Sequence, residues 1–373
     1  MSFFTKNIFS SQEASVIGID IGSSSLKIVQ VKKKKGRAVL ETYGEIALGP
    51  YSKLATGQIV NMSTTEIAQV IKDLIREAEI TTVKGGMAIP LKLSLVSVIE
   101  IPPVSEAELA TVIPLEARKY IPVPIGEVTM DWFVIPSPRD TSLEFVESGD
   151  DSKRQAEESQ KKLQVLMVAI HNQVLNNYTS IVRETKLETS FFEVEAFATA
   201  RACLTGENAP TMIIDFGASA IKIYIVDSGL LVSSHIINRG GQDITFSISK
   251  GLGVTFDHAE HLKRTLGKGT VTEEAKILEL IAVHQEYAVS EVSTVITQYQ
   301  RKFSKTIQKI LLTGGGANLA GFVDLAKKTF ACDVELAVPF SKLETPVFLQ
   351  ETLETTGTAF SPAIGLALRA LQD

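Results

Sequence analysis

Cysteine is scarce in this chain: Cys203 and Cys332 are the only two among 373 residues, far apart and with no CxxC beside either. That pattern suggests neither a disulfide framework nor a zinc site, and it suits a reducing compartment. No stretch approaches the roughly 18 consecutive apolar residues of a membrane span. The opening "MSFFTKNIFSSQ" is too polar for the core of a signal peptide, so the expected location is the cytoplasm. An excess of positive charge is missing as well. The 37 lysines and arginines against 43 aspartates and glutamates leave a net charge of -6, which argues against a nucleic-acid partner. One basic run, 32–35 with Arg37, reads as a solvated hairpin end or as a contact for anionic lipid. Neither a GxGxxG after a strand nor a GxxxxGK[ST] loop occurs.

What is present is a large core. Hydrophobic residues make up 45% and charged residues 21%, and the length predicts at least two domains. "SVIGIDIGSSSLKIVQV" at 15–31 reads as a buried β-hairpin whose tip holds Asp20, Gly22, Ser23, Ser24, Ser25 and Lys27. Such a tip offers a phosphate close backbone approach, amide and hydroxyl donors, a lysine, and a carboxylate for a hydrated metal ion. Taken alone, it reads first as an ordinary serine-rich turn.

Further along, "LETYGEIALG" predicts a third strand and 63–80 an amphipathic helix, with Ile67, Val70, Ile71, Leu74 and Ile75 on one face and a capping-box spacing from Ser63 to Glu66. The strands "GGMAIP" and "LSLVSVIEIP" are followed by a helix around Pro114, where a kink is expected. Residues 137–162 are nearly devoid of apolar side chains and read as a mobile loop between strands "VTMDWFVIP" and "LQVLMVAI". Helices are predicted at about 171–186 and 193–204.

The opening pattern then returns. "MIIDFGASAIKIYIV" repeats "IGIDIGSSSLKIVQV" with Asp, Gly, Ser and Lys at the same offsets, pairing Asp20 with Asp215, Gly22 with Gly217, Ser24 with Ser219 and Lys27 with Lys222. Two copies half a chain apart predict a duplicated fold with both turns facing one cleft. A third segment, 309–330, is a strand, a Gly314-Gly315-Gly316 turn and a helix. Its side-chain-free turn would let a flat ring lie against backbone, and the helix start favours anions.

These three segments, in this order, resemble those of the actin, Hsp70 and sugar-kinase superfamily. "FFEVEAFATARA" and "FSPAIGLALRAL" lie where its two connecting helices run. Within it the chain looks like the FtsA branch and, through "VIEIP", "LEARKYIPVPIGEVTMDW", "EVEAFATARA" and "HAEHLKR", most like the PilM proteins of type IV pilus assembly. The resemblance implies an α/β, actin-like ATPase fold: two duplicated ribonuclease-H-like halves around a nucleotide cleft, with an inserted subdomain of the 1C type. It implies a 1A half from 14–90, 166–208 and 360–373, the insert at 91–165, a 2A half from 209–245 and 309–359, and a 2B subdomain at 246–308.

It also implies roles. ATP and Mg2+ would sit between the halves, with Asp20 and Asp215 facing the metal through water, and Ser23, Ser24, Ser25, Lys27, Gly217, Ala218 and Ser219 around the phosphates. Glu195 would orient the attacking water; otherwise it is a helix-exposed neighbour of Glu193. Glu260 and Lys263, three apart on one helical face, would contact ribose and adenine, with Gly314, Gly315, Gly316 and Asn318 under the base. Lys222 reads better as a strand-surface lysine than as a second Lys27, and His258 with His261 as an exposed helical pair rather than a metal site. The implied function is a slow or weak ATPase scaffold at the inner membrane. It would be held there through the N-terminal peptide of a PilN-like membrane protein bound in the insert, and the reading extends to other pilus components and self-association. The alternative anchor is the apolar N-terminal segment with Phe3, Phe4, Ile8 and Phe9. The alternative functions are an FtsA-like division protein and a small-molecule kinase; a GspL-like secretion protein is disfavoured by the lack of a span.

Overall fold

In a computed structural model, residues 14–135, 162–266 and 273–372 are described. The predicted duplication is visible in the strand order. In the N-terminal half, β1 (Ser15–Ile21), β2 (Ser25–Lys34), β3 (Arg37–Ala47), β4 (Lys84–Ile89) and β8 (Glu188–Val194) form a sheet ordered β3-β2-β1-β4-β8. The C-terminal half repeats it with β9 (Thr211–Phe216), β10 (Ile221–Asp227), β11 (Leu230–Ile237), β12 (Lys309–Thr313) and β13 (Asp333–Leu336), ordered β11-β10-β9-β12-β13. In each sheet the three hairpin strands pair antiparallel and the last two join in parallel.

Both sheets are covered on both faces, which is why their central strands are almost continuously apolar. In the N-terminal half, Ile17, Ile19 and Ile28 pack against Val70, Ile71 and Leu74 of α1 (Thr64–Glu77), while Val16, Val29 and Val31 pack against Phe360, Ile364 and Ala367. The capping box at the start of α1 forms as expected: the Ser63 N–H donates to Glu66 Oε2 at 2.8 Å and the Glu66 N–H to Ser63 Oγ at 3.3 Å. In the C-terminal half, Ile214, Ile223 and Ile225 pack with Ile244, Ile281 and Phe322.

Between β4 and β8 the chain builds a separate sheet ordered β5-β7-β6, from β5 (Ser94–Ile101), β6 (Val128–Val134) and β7 (Leu163–His171). Helix α2 (Glu106–Ala117) lies on it through Ile113 and Ala117 and remains helical through Pro114. β7 then leads into α3 (Asn172–Thr185). Apart from Lys162, the polar 137–162 segment lies outside the described residues, as does the N-terminal segment with Phe3, Phe4, Ile8 and Phe9.

Two helices cross beneath the cleft: α4 (Glu195–Cys203) and α10 (Ser361–Ala370). Their approach depends on Gly365, where a Cβ would sit 1.9 Å from the Ala198 carbonyl oxygen. Glu193, 7% exposed, ties them to β8, taking both Arg201 terminal nitrogens and one from Arg369 at 2.8 Å each. α5 (Gly241–Leu252), α6 (Phe256–Thr265), α7 (Glu274–Phe303), α8 (Phe322–Thr329) and α9 (Gln350–Thr356) complete the described helices.

Candidate functional site: the cleft between the two halves

The two aspartate turns are built alike. In the first, the Gly22 N–H donates to the Ser25 carbonyl at 3.0 Å; in the second, the Gly217 N–H donates to the Ala220 carbonyl at 3.0 Å. Both aspartates end a buried strand opposite a lysine, Asp20 across from Lys27 and Asp215 across from Lys222. The third segment joins them, for a Cβ on Gly314 would lie 2.4 Å from Asp215 Oδ1, and its φ of +82° also favours glycine. The Gly314 N–H is anchored by the Thr358 carbonyl at 2.9 Å, and Asn318 Nδ2 reaches Thr355 O and Thr358 Oγ1. Gly315 and Asn318 are exposed and Gly316 lies against the Phe216 ring. Asn318 thus braces the turn from behind.

Asp20 is 8% exposed, and the described residues form no hydrogen bond to its carboxylate. Burial pushes it up to about 6; Lys27 opposes that shift, while Glu195 adds to it. Lys27 itself donates to Ser25 Oγ at 2.7 Å and pairs with Glu45 at 3.2 Å. A buried carboxylate left without a donor is what a hydrated divalent ion would complete, and Asp215 supplies a second from the opposite half.

An aspartate raised from 3.8 to about 6 favours the folded state only while it holds its proton. Its contribution is full below pH 3.8 and is lost as pH rises through about 6. Asp20→Asn is therefore expected to raise the melting temperature of the ligand-free protein by roughly 2 °C or more at pH 8, with the gain shrinking to nothing near pH 4. A gain of equal size at both pH values in differential scanning calorimetry would contradict this.

Lys222 departs from expectation. It is not a strand-surface lysine: Nζ donates to Glu195 Oε2 at 2.6 Å and to Asp215 Oδ2 at 3.1 Å, with the side chain 21% exposed. Burial acts to lower its pKa, but Asp215 and then Glu195 overcome this and hold the ammonium well above its usual range. Glu195 is not the helix-exposed glutamate of the bland alternative either, being 3% exposed. Its other oxygen accepts the Leu91 N–H at 2.7 Å. Repeat geometry placed Lys222 opposite Asp215, but only the approach of α4 from the other half brings Glu195 to it.

Glu260 and Lys263 lie together where α6 meets α5. Glu260 accepts from Thr245 Oγ1 at 2.6 Å, Lys263 Nζ at 2.5 Å and Arg264 Nε at 2.7 Å, while Lys263 also reaches the Gly241 carbonyl at 3.1 Å. α5 meets the second turn directly, through the Gly241 N–H on Gly217 O and the Gln242 N–H on Ala218 O, each 3.0 Å. Sequence reasoning missed the bridge from the first half: Gly57 abuts the Glu260 carboxylate and the Ile59 N–H donates to Gln242 Oε1 at 2.6 Å. His258 and His261 are both exposed, and no metal-competent cluster of His, Cys, Asp and Glu occurs among the described residues.

Two duplicated halves, two aspartate turns and a glycine turn converging on one cleft define the actin-like ATPase fold. A family model described as type IV pilus assembly protein PilM matches residues 18–371, and the chain belongs to that family. Solved structures agree on the fold. A PilM-PilN type IV pilus biogenesis complex superposes with a TM-score of 0.78 at 21% identity, covering 96% of this chain and 99% of that one. The ethanolamine utilization protein EutJ from Carboxydothermus hydrogenoformans gives 0.54 at 14% identity, covering 95% and 89%. Among curated proteins, the cell division protein FtsA of Enterococcus faecalis is 28% identical over 197 residues, 47% of this chain and 45% of the relative. The chain spans about half the length of the curated relatives it matches. No described helix is long and apolar enough to cross a membrane.

Proposed function

We propose that this chain is a nucleotide-dependent scaffold of type IV pilus assembly, binding ATP with Mg2+ in the cleft and a PilN-like membrane protein's N-terminal peptide on the inserted sheet. The observation that carries the nucleotide reading is the convergence of Asp20 and Asp215, from opposite halves, on one glycine-lined cleft. Asp20 and Asp215 would hold Mg2+ through water, and the ion would neutralise charge between phosphate oxygens. Lys27 and Ser25 stand ready as donors on the first turn, and Glu260 with Lys263 at the nucleoside end. Glu195 already gives one oxygen to Lys222 and the other to Leu91, so it is held for orienting a water rather than free to swing toward one. Slow turnover follows from that restraint. A kinase reading has less support, because among the described residues no further unpaired carboxylate in the cleft offers itself as a base for a sugar hydroxyl.

The peptide reading rests on β6. It pairs only with β7, so its other edge is open among the described residues, and Phe133 on it is 50% exposed. An extended peptide can add to such an edge through main-chain hydrogen bonds. Attachment to the inner membrane would then come through the partner.

Millimolar ATP with Mg2+ is expected to raise the melting temperature of the chain by mass action, and Asp215→Ala to remove most of the magnesium-dependent part. No shift in the unmutated protein at that concentration would end the nucleotide reading. Separately, a synthetic N-terminal peptide of the cognate PilN-like protein should bind the unmutated chain and lose at least about tenfold in affinity with Phe133→Glu. Unchanged binding would remove β6 from the interface.

A further inference from the structure

We propose that Lys222 is a positioning residue that couples the occupancy of the cleft to the inserted sheet, through an unbroken line of contacts from Asp215 to Lys222 to Glu195 to the backbone of Leu91. This rests on the reading of the cleft as a site for ATP and Mg2+.

Every link in the line is short. Lys222 Nζ lies 3.1 Å from Asp215 Oδ2 and 2.6 Å from Glu195 Oε2, and Glu195 Oε1 accepts the Leu91 N–H at 2.7 Å. The line crosses between the halves, because Asp215 and Lys222 stand on adjacent strands of the C-terminal sheet while Glu195 begins α4. It ends where the insert begins. Leu91 opens the 3-10 turn Leu91–Leu93 that leads directly into β5, and its carbonyl accepts from Ser94 Oγ at 3.1 Å. The Leu91 side chain, 4% exposed, packs in the same cluster as Ile213 and Tyr224 of the C-terminal sheet, with Val96 of β5 against it. Movement of Lys222 is therefore felt at the root of β5 by hydrogen bond and by packing.

The line also has a reason to move. Lys222 is the cation on Asp215, at 3.1 Å. Lys222 would be repelled from Asp215 by a hydrated divalent ion held there and would be left to Glu195 alone. The Tyr224 hydroxyl is buried and has no hydrogen-bond partner among the described residues, although Glu195, Lys222 and Asp215 all act on it electrostatically. It is a spare donor beside the carboxylates, so a second arrangement of this cluster need not strand one. Coupling of this kind is reciprocal: the factor by which the ion changes the affinity of a ligand on the insert is the factor by which that ligand changes the ion's affinity.

The test is amide hydrogen exchange over residues 91–101, with and without ATP and Mg2+, at saturation judged by thermal shift of the same samples. In the unmutated chain, exchange over 91–101 should change severalfold on saturation. Lys222→Met should abolish that response. Glu195→Gln breaks the line at its next link while keeping side-chain shape and leaving Lys222 on Asp215, and it should abolish the response too. A response of unmutated size in either variant overturns the proposal, as does a saturated unmutated chain whose 91–101 amides do not change. Absence of any thermal shift in the unmutated chain is a different failure, that of the nucleotide reading itself.

Discussion

Gly365→Ala is expected to be among the most damaging single-methyl changes at the described residues. The added Cβ would fall 1.9 Å from the Ala198 carbonyl oxygen and 2.5 Å from its carbon, both backbone atoms of α4, so no side-chain rotation relieves the clash. The crossing of α4 and α10 must spread. Overpacking of this severity costs about 3 kcal/mol, and the melting temperature should fall by roughly 4 °C, with recovery of folded protein reduced. Gly126→Ala is the matched control, since a Cβ there meets nothing within 4 Å. Equal melting temperatures for the two variants would show that the helices do not meet as closely as described.

Glu260→Ala carries the other large expected effect. It removes the acceptor for Thr245 and Lys263, and the Lys263 side chain is 10% exposed, so a nearly buried ammonium loses its counter-charge. Breaking such a pair from one side costs about 3–5 kcal/mol, more than the pair itself contributes. The melting temperature should drop by roughly 4–6 °C. Adding Lys263→Met to Glu260→Ala should recover part of the loss, because the stranded charge is then gone. If the double variant is no better than the single one, the cost arises elsewhere, in the contact that Gly57 makes with the Glu260 carboxylate across the cleft.

Much of the architecture was legible in the sequence, for local reasons. A strand buried on both faces must be apolar throughout, so β1, β2, β9 and β10 announced themselves, and the aspartate and glycine between each pair marked a turn that recurs with the same Gly N–H to carbonyl bond. The capping box at Ser63 was equally local. β8 was not foreseen: "ETSFFEV" alternates weakly, and it becomes a strand because β4 offers it a parallel edge.

The sequence by itself determined the duplicated halves, the three turns and which side chains those turns carry, since each depends on neighbours a few residues away. Only the tertiary structure decided what those side chains do to one another. Lys222 looks like a surface lysine until α4, 27 residues earlier, sets Glu195 against it. Glu195 reads equally as a helix-exposed glutamate until Leu91, 104 residues before it, donates to it in a buried site. Glu193 gathers Arg369 from 176 residues away. Sequence periodicity reports burial along one element, whereas an ion pair across a cleft depends on how two halves meet, and no local pattern encodes that distance.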